Sequence, residues 1–442
     1  MSRLLVLSMS LLVFCSTDAS AQNVREKKVR EDKQKVEADG YWFYNDLPRA
    51  FAEAKKTNKP MVVILRCIPC EECVKLDDDL VNTDPKLRPL LDQFVRVRVV
   101  STNGLDLSLF AYDYDQSFAV FFLNADGTVY GRFGTRSHRT NWVGDVSIEG
   151  LAKALRGTLD LHTEYPKNKA SLASKRGQIA EYAVPEKFPS LKGKYTDKLN
   201  YAGNVVQSCI HCHQIADAQR DLYRQKREAI PETVLFPFPH PKILGLVLDP
   251  KERATISSVE PGSLSEQAGF KAGDVIRTLN GQSLLSMADI QWVLHQFSAQ
   301  GGMLNAEVLR DNKSVPVTLK LPEGWRRAGD LSWRSSSWGL RRMSLGGLLL
   351  ESIDSSDRPK DLPADAMALR VKHVGQYGPH ATAKNAGFQV GDVIVSYDGK
   401  TNLLRETDLL AYGVTARKAG DRVPVTIIRG AKKLSLTLPL PE

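Results

Sequence analysis

The chain has only six cysteines in 442 residues, and they are not scattered. Cys15 lies in the first apolar stretch, and the others fall in two clusters, Cys67, Cys70 and Cys73, then Cys209 and Cys212. That spacing belongs to chemical sites and excludes a dispersed disulfide scaffold. Long apolar runs are missing after the first residues, which excludes a later helix able to cross a bilayer. Methionine is absent between Met61 and Met287. A strong excess of one charge is missing too: 60 Lys and Arg against 51 Asp and Glu leave +9, spread along the chain. This balance excludes a compact nucleic-acid-binding arm.

What is present begins with an export signal. Arg3 supplies a positive start, Leu4 to Phe14 an apolar stretch too short to span a bilayer, and Ala19-Ser20-Ala21 a cleavage pattern. These predict a signal peptide over 1–21, a mature chain from about Gln22, and a periplasmic or secreted location. Phe14 before Cys15 argues against a lipid anchor. Residues 22–40 mix Lys, Arg, Glu and Asp and predict a solvated tail or short helix.

From residue 41 to 162 helical and strand patterns alternate: Pro48–Lys56, Met61–Leu65, a helix after Cys70, Phe94–Val100, Phe118–Leu123, Thr128–Phe133 and Ile148–Leu161. This order predicts an α/β domain with a central sheet. Lys59-Pro60 before a strand, then Cys67-Ile68-Pro69-Cys70 at a strand-to-helix junction, resembles the thioredoxin fold and its Cys-x-Pro-Cys site. The resemblance implies Cys67 and Cys70 as a redox pair acting on disulfides, with a helix N-terminus stabilising the thiolate. Arg66 stands where that family has Trp, and Phe118 where it has a cis-proline. With Cys73 as a third thiol, the residues leave three readings open: thiol redox chemistry, a structural disulfide, or metal ligation.

Residues 163–240 form a connector carrying Cys209-Ile210-His211-Cys212-His213. The Cys-x-x-Cys-His pattern is that of c-type haem attachment, with Cys209 and Cys212 as thioether partners and His213 as proximal iron ligand. The resemblance to cytochrome c is local. His240, in Phe236-Pro237-Phe238-Pro239-His240-Pro241, is a candidate distal ligand, with an exposed linker histidine as the alternative. Half of a zinc site and a plain disulfide are the other readings of the motif.

The C-terminal half holds a repeat. Ala268-Gly269-Phe270-Lys271-Ala272-Gly273-Asp274-Val275-Ile276 returns as Ala386-Gly387-Phe388-Gln389-Val390-Gly391-Asp392-Val393-Ile394, and each copy continues through Asn280-Gly281 or Asp398-Gly399 into a helix and an alternating strand. The pattern resembles bacterial PDZ domains, over 241–323 and 344–442. That resemblance implies a groove that takes a peptide as an added strand and its carboxylate on a glycine-containing loop. Leu244, Gly245 and Leu246, with Ile290, Val293 and Leu294 on the wall helix, are the candidates in the first copy. Gly346, Gly347 and Leu348 match the loop in the second. Core packing would demand the same spacing of the three wall residues, and one or both copies as structural spacers is the alternative. Residues 324–343 interleave Trp and Arg, which reads as an interdomain strap, with contact to anionic lipid or nucleic acid as the alternative.

The expected architecture is thus multidomain: a thioredoxin-like α/β domain, a small helical haem-binding connector and two mainly-β PDZ-like domains. Bacterial PDZ modules often accompany a trypsin-like protease. No Gly-x-Ser-x-Gly turn occurs, and no protease domain is expected. The leading expectation is an exported haem c protein for electron transfer or redox sensing, with PDZ modules binding protein C-termini, a redox partner protein and no nucleic acid. The alternatives are a non-catalytic periplasmic peptide-binding scaffold and a thiol-disulfide oxidoreductase.

Overall fold

Opposite charges four residues apart turn the expected charged tail into a helix. In a computed structural model, which describes residues 15–66, 87–116, 118–136, 144–179, 181–359 and 362–441, helix α1 spans Cys15–Asp39. Glu26–Arg30 and Lys27–Glu31 pairs lie along it at 3.6 and 3.7 Å. The helix is docked, not solvated: Val29 and Val36 are buried, and Asp32 pairs with the buried Arg66. The solvated-tail expectation is thereby corrected. The lone apolar residues among the charges are what hold the helix down.

The described residues form two compact units. The first contains a five-stranded sheet in the order β1-β3-β2-β4-β5. Its elements follow as β1 (Phe43–Tyr44), α2 (Leu47–Thr57), β2 (Met61–Arg66), β3 (Val95–Val99), β4 (Phe118–Leu123), β5 (Val129–Phe133) and α3 (Ile148–Thr163). Asp46 caps α2 by accepting from the Arg49 N–H at 3.1 Å. β2 runs parallel to β3 and antiparallel to β4, in register Met61 to Leu123 through Arg66 to Phe118. Both central strands are buried throughout, which explains their unbroken apolar runs.

The second unit carries the repeat. Most of helix α4 (Cys212–Gln225) belongs to it, together with the short stretches Tyr112–Gln116 and Phe133–Lys153. The first copy comprises β6 (Leu246–Leu248), β7 (Ile256–Val259), β8 (Val275–Leu279), β9 (Gln282–Ser283), wall helix α5 (Met287–Gln296), β10 (Gly302–Arg310) and β11 (Lys313–Leu321). Then come α6 (Ser337–Leu345), β12 (Leu348–Ser352), β13 (Leu369–Val374), β14 (Val393–Tyr397), wall helix α7 (Glu406–Thr415), β15 (Arg422–Arg429) and β16 (Lys432–Pro439). In the first copy β6 and β7 pair as a separate two-stranded sheet, whereas β12 to β16 form one continuous sheet in chain order. Asn280-Gly281 and Asp398-Gly399 all take positive φ, the type I′ geometry that tight hairpins require. Each copy encloses its own apolar core.

Candidate peptide-binding sites in the two repeat copies

In the first copy the glycine loop and the wall helix are both fixed by hydrogen bonds. Gly245, at φ 85°, donates its N–H to Lys242 O at 2.9 Å and accepts from Glu260 N at 2.9 Å. Ser286 caps the start of α5 by accepting from Ala288 N at 3.0 Å, and Asp289 accepts from Leu285 N at 2.9 Å. The far end is closed by Arg326, which donates to Leu294 O, His295 O and Phe297 O at 2.9, 2.8 and 2.7 Å and to Phe236 O at 3.2 Å. Burial pushes that guanidinium down to about 10. Placing a cation on the last carbonyls of a helix also matches the helix dipole.

The sequence candidates Leu244, Leu246, Ile290, Val293 and Leu294 all belong to the core of this copy. The three wall residues are 1, 1 and 0 % exposed, so their spacing serves core packing. Gln291, which is buried, and His295, neither of which the sequence singled out, lie on α5 against Phe238. Gln291 donates to Phe238 O at 3.1 Å, and the Phe238 ring stacks on His295 at 4.1 Å. Beside them is a cavity of about 290 Å³ lined by Phe236, Phe238, His240, Ile243, Gln291 and Trp333, among others. Its apolar walls with a few polar groups have the make-up of a small ligand cleft.

In the second copy Gly346 and Gly347 take φ of 58° and 93° and Leu348 is buried. Gly347 donates to Arg341 O at 3.0 Å, Gly346 O accepts from Ala383 N at 3.0 Å, and Gly347 O accepts from Gly375 N at 3.0 Å.

A residue pair missed in the sequence locks both copies alike. Arg310 donates Nε and Nη2 to Asp274 at 2.7 and 2.6 Å and reaches Gly269 O at 2.8 Å. Arg429 does the same to Asp392 at 2.7 and 2.8 Å and to Gly387 O at 2.7 Å. The signal was available: the repeated Gly-Asp and an Arg closing a later strand. Burial alone would raise the Asp274 carboxyl, but the hydrogen bonds from Arg310 and the Lys271 N–H outweigh it and hold it below the usual range.

The Trp/Arg stretch packs as a strap. Arg326, Arg334 and Arg341 each lie over a tryptophan ring at 4.9 Å, those of Trp325, Trp333 and Trp338. Arg334 is 6 % exposed and donates to Asp113 at 2.6 Å and to Asp115 at 3.4 Å. Burial opposes charge on Asp115, yet Arg334, Arg220 and Ser336 together hold its carboxyl below the usual range.

Cys67, Cys70 and Cys73 lie outside the described residues. Cys209 is 6 % exposed, and burial, then the neighbouring Cys212, pushes its thiol up to about 12. Ile210 beside it is pinned, donating to Asn103 Oδ1 at 2.8 Å while its carbonyl accepts from Thr102 Oγ1 at 2.8 Å. His213 sits in α4 with Nδ1 3.8 Å from Asp217. His240 Nδ1 accepts from Lys242 N at 3.2 Å, and its Nε2 is 3.5 Å from Asp145. Among the described residues no group of three or more His, Cys, Asp or Glu is placed to hold a metal ion.

Comparison with known proteins divides the chain the same way. Residues 42–125 match the thioredoxin-like family, and 255–297 and 354–440 match PDZ domains. The chain therefore contains a thioredoxin-like domain and two PDZ domains. It is similar to a probable periplasmic serine protease do/HhoA-like of Haemophilus influenzae, 32 % identical over 145 residues, covering 33 % of this chain and 27 % of that protein. It is also similar to a DegP-like periplasmic serine endoprotease of Marinomonas, 29 % identical over 184 residues, covering 41 % and 36 %. The periplasmic serine endoprotease DegP of Escherichia coli K12 is 36 % identical over 148 residues, covering 34 % and 27 %. The chain thus spans about a third of the length of these relatives. A solved HtrA-type protease with a decapeptide has a TM-score of 0.21 at 14 % identity, covering 40 % of this chain and 51 % of that one.

These relatives correct the functional expectations. Haem-based electron transfer or redox sensing, with its redox partner, and thiol-disulfide oxidoreductase activity find no support among them. The expectation that proteolysis plays no part is corrected by the same finding, since the proteins this chain resembles over about a third of their length are described as periplasmic serine proteases. Among the described residues no helix is long and apolar enough to cross a membrane.

Proposed function

We propose that this chain is a periplasmic protein that captures polypeptide tails through its first PDZ domain, in the service of proteolysis of the DegP type. The observation that carries the reading is the pairing of β6: it bonds to β7 alone in a two-stranded sheet, so its other edge has no strand partner among the described residues. An extended peptide adds to such an edge through main-chain hydrogen bonds. The glycine loop lies at one end of β6, where a peptide carboxylate would meet it. Cleavage by the chain itself is the second reading, favoured by the relatives' description as serine proteases.

The test is fluorescence anisotropy of decapeptides with free C-termini against the intact protein, beside the same peptides amidated. Saturable binding weakened by amidation is expected, and no binding by any free-carboxylate peptide would sink the capture reading. Casein incubated with the protein, with and without a serine-reactive inhibitor, decides the second reading: inhibitor-sensitive fragments support it, and intact casein removes it.

A further inference from the structure

The second copy differs from the first in what fills its groove. A peptide joining this module would lie along β12, the edge strand of its sheet, between that strand and wall helix α7. Helix α6 packs against both elements. Leu340 and Leu345 of α6 are fully buried in one core with Leu350 of β12 and Leu409 and Leu410 of α7.

Three local features fit α6 to that place. Gly413 of α7 faces Ser344 of α6, and a Cβ at Gly413 would overlap the Ser344 Cβ, so the bare backbone is what lets the helices meet. Arg341 of α6, 3 % exposed, holds the Glu406 carboxylate of α7 by two hydrogen bonds, 2.9 Å from Nε and 2.6 Å from Nη2. The same carboxylate accepts the Leu350 N–H of β12 at 2.8 Å. Alternate N–H groups of an antiparallel edge strand point away from its partner, and this one points to the open edge. It is a donor that an added peptide strand would need. The Gly347 N–H, in the carboxylate loop, is taken as well, by Arg341 O at 3.0 Å.

The first copy lacks the matching residues. Counting from the start of each wall helix, it has Met287 and Leu294 where the second has Glu406 and Gly413. The pair that clamps α6 and the gap that admits it occur together in one copy and are both missing from the other.

We propose that α6 is an intramolecular plug: while it is seated the second PDZ groove receives no peptide, and release of α6 opens a second binding site on the same chain. The inference rests on the reading above that these grooves take peptides. Ejecting α6 frees the Gly347 N–H and takes Arg341 away from the Glu406 carboxylate that holds the Leu350 N–H, so that the carboxylate can swing out to water and both donors open to a peptide.

Gly413→Ala tests it in the full chain. Gly413 is helical, so alanine favours α7 itself while its methyl collides with α6. Hydrogen exchange at the Leu350 amide is expected to be slow in the wild type and at least ten times faster in the variant. Adding Ser344→Gly restores the space and is expected to restore slow exchange, which separates plug release from general unfolding. A decapeptide with a photoreactive group is expected to label 246–296 in the wild type, and 348–352 and 406–415 also in the variant. Wild-type labelling of the second groove, or exchange at Leu350 unchanged by Gly413→Ala, would overturn the plug. Labelling of neither groove in either protein, with exchange accelerated as expected, would instead overturn the peptide-capture reading and with it the plug's regulatory role.

Discussion

The two PDZ copies share a lock and differ in what lies over the groove. Asp274–Arg310 and Asp392–Arg429 close the two copies with nearly the same distances. Two arginines of the strap, one beside each copy, are used in opposite ways. Arg326 secures the end of the first wall helix from behind, whereas Arg341 reaches across the second groove and ties wall helix to plug. Duplication preserved the fold, and a few residues on the wall helix decide whether the groove is available.

Substitutions can break this contrast, and the largest effect belongs to the clamp. Arg341→Ala strands the buried Glu406 carboxylate, and loss of one partner of a buried pair costs about 3–5 kcal/mol. Urea unfolding followed by near-UV circular dichroism should report this as a destabilised second unit. Arg326→Met removes four carbonyl contacts but leaves no buried carboxylate unpaired; about 2 kcal/mol is expected, with the Leu350 amide still slow to exchange. If Arg326→Met released that amide, the two arginines would not have separate roles.

Smaller and equal effects are expected from the shared lock. Asp274→Asn should cost roughly 2 kcal/mol, below the full buried-pair value because Arg310 keeps partial solvent contact. Asp392→Asn should cost a similar amount, and a large inequality in denaturant midpoints would mean the locks are not equivalent. Acid sharpens the point. The Asp274 carboxyl is held below its usual value in the fold, so its contribution is fully present above the unfolded value of about 4 and is lost as pH falls through the folded one. Asp274→Asn should therefore flatten part of the stability loss below about pH 4 and leave the slope between pH 5 and 7 unchanged.

How much of this was legible depended on the range of the interactions. The repeat was readable because turns and Gly-Asp positions repeat local backbone geometry, as Asn280-Gly281 and Asp398-Gly399 illustrate. The thioredoxin-like sheet was readable because β2 and β4 carry unbroken apolar runs. Spacing at Ile290, Val293 and Leu294 satisfied a core and a groove equally well, and burial decided for the core. The pentapeptide at Cys209 was a local pattern that could not report the burial of its own first thiol. Arg341 and Glu406 are 65 residues apart, and neither residue alone indicates the other. The same applies to Val29 and Val36, whose docking against the fold is invisible in a charge-rich stretch.

The most direct measurement of the central claim is the stoichiometry of peptide binding to the intact protein, by calorimetric titration with a decapeptide bearing a free, apolar C-terminal residue. One peptide per chain is predicted for the wild type, rising toward two in Gly413→Ala. Two equivalent sites in the wild type would contradict the difference between the copies on which this account stands.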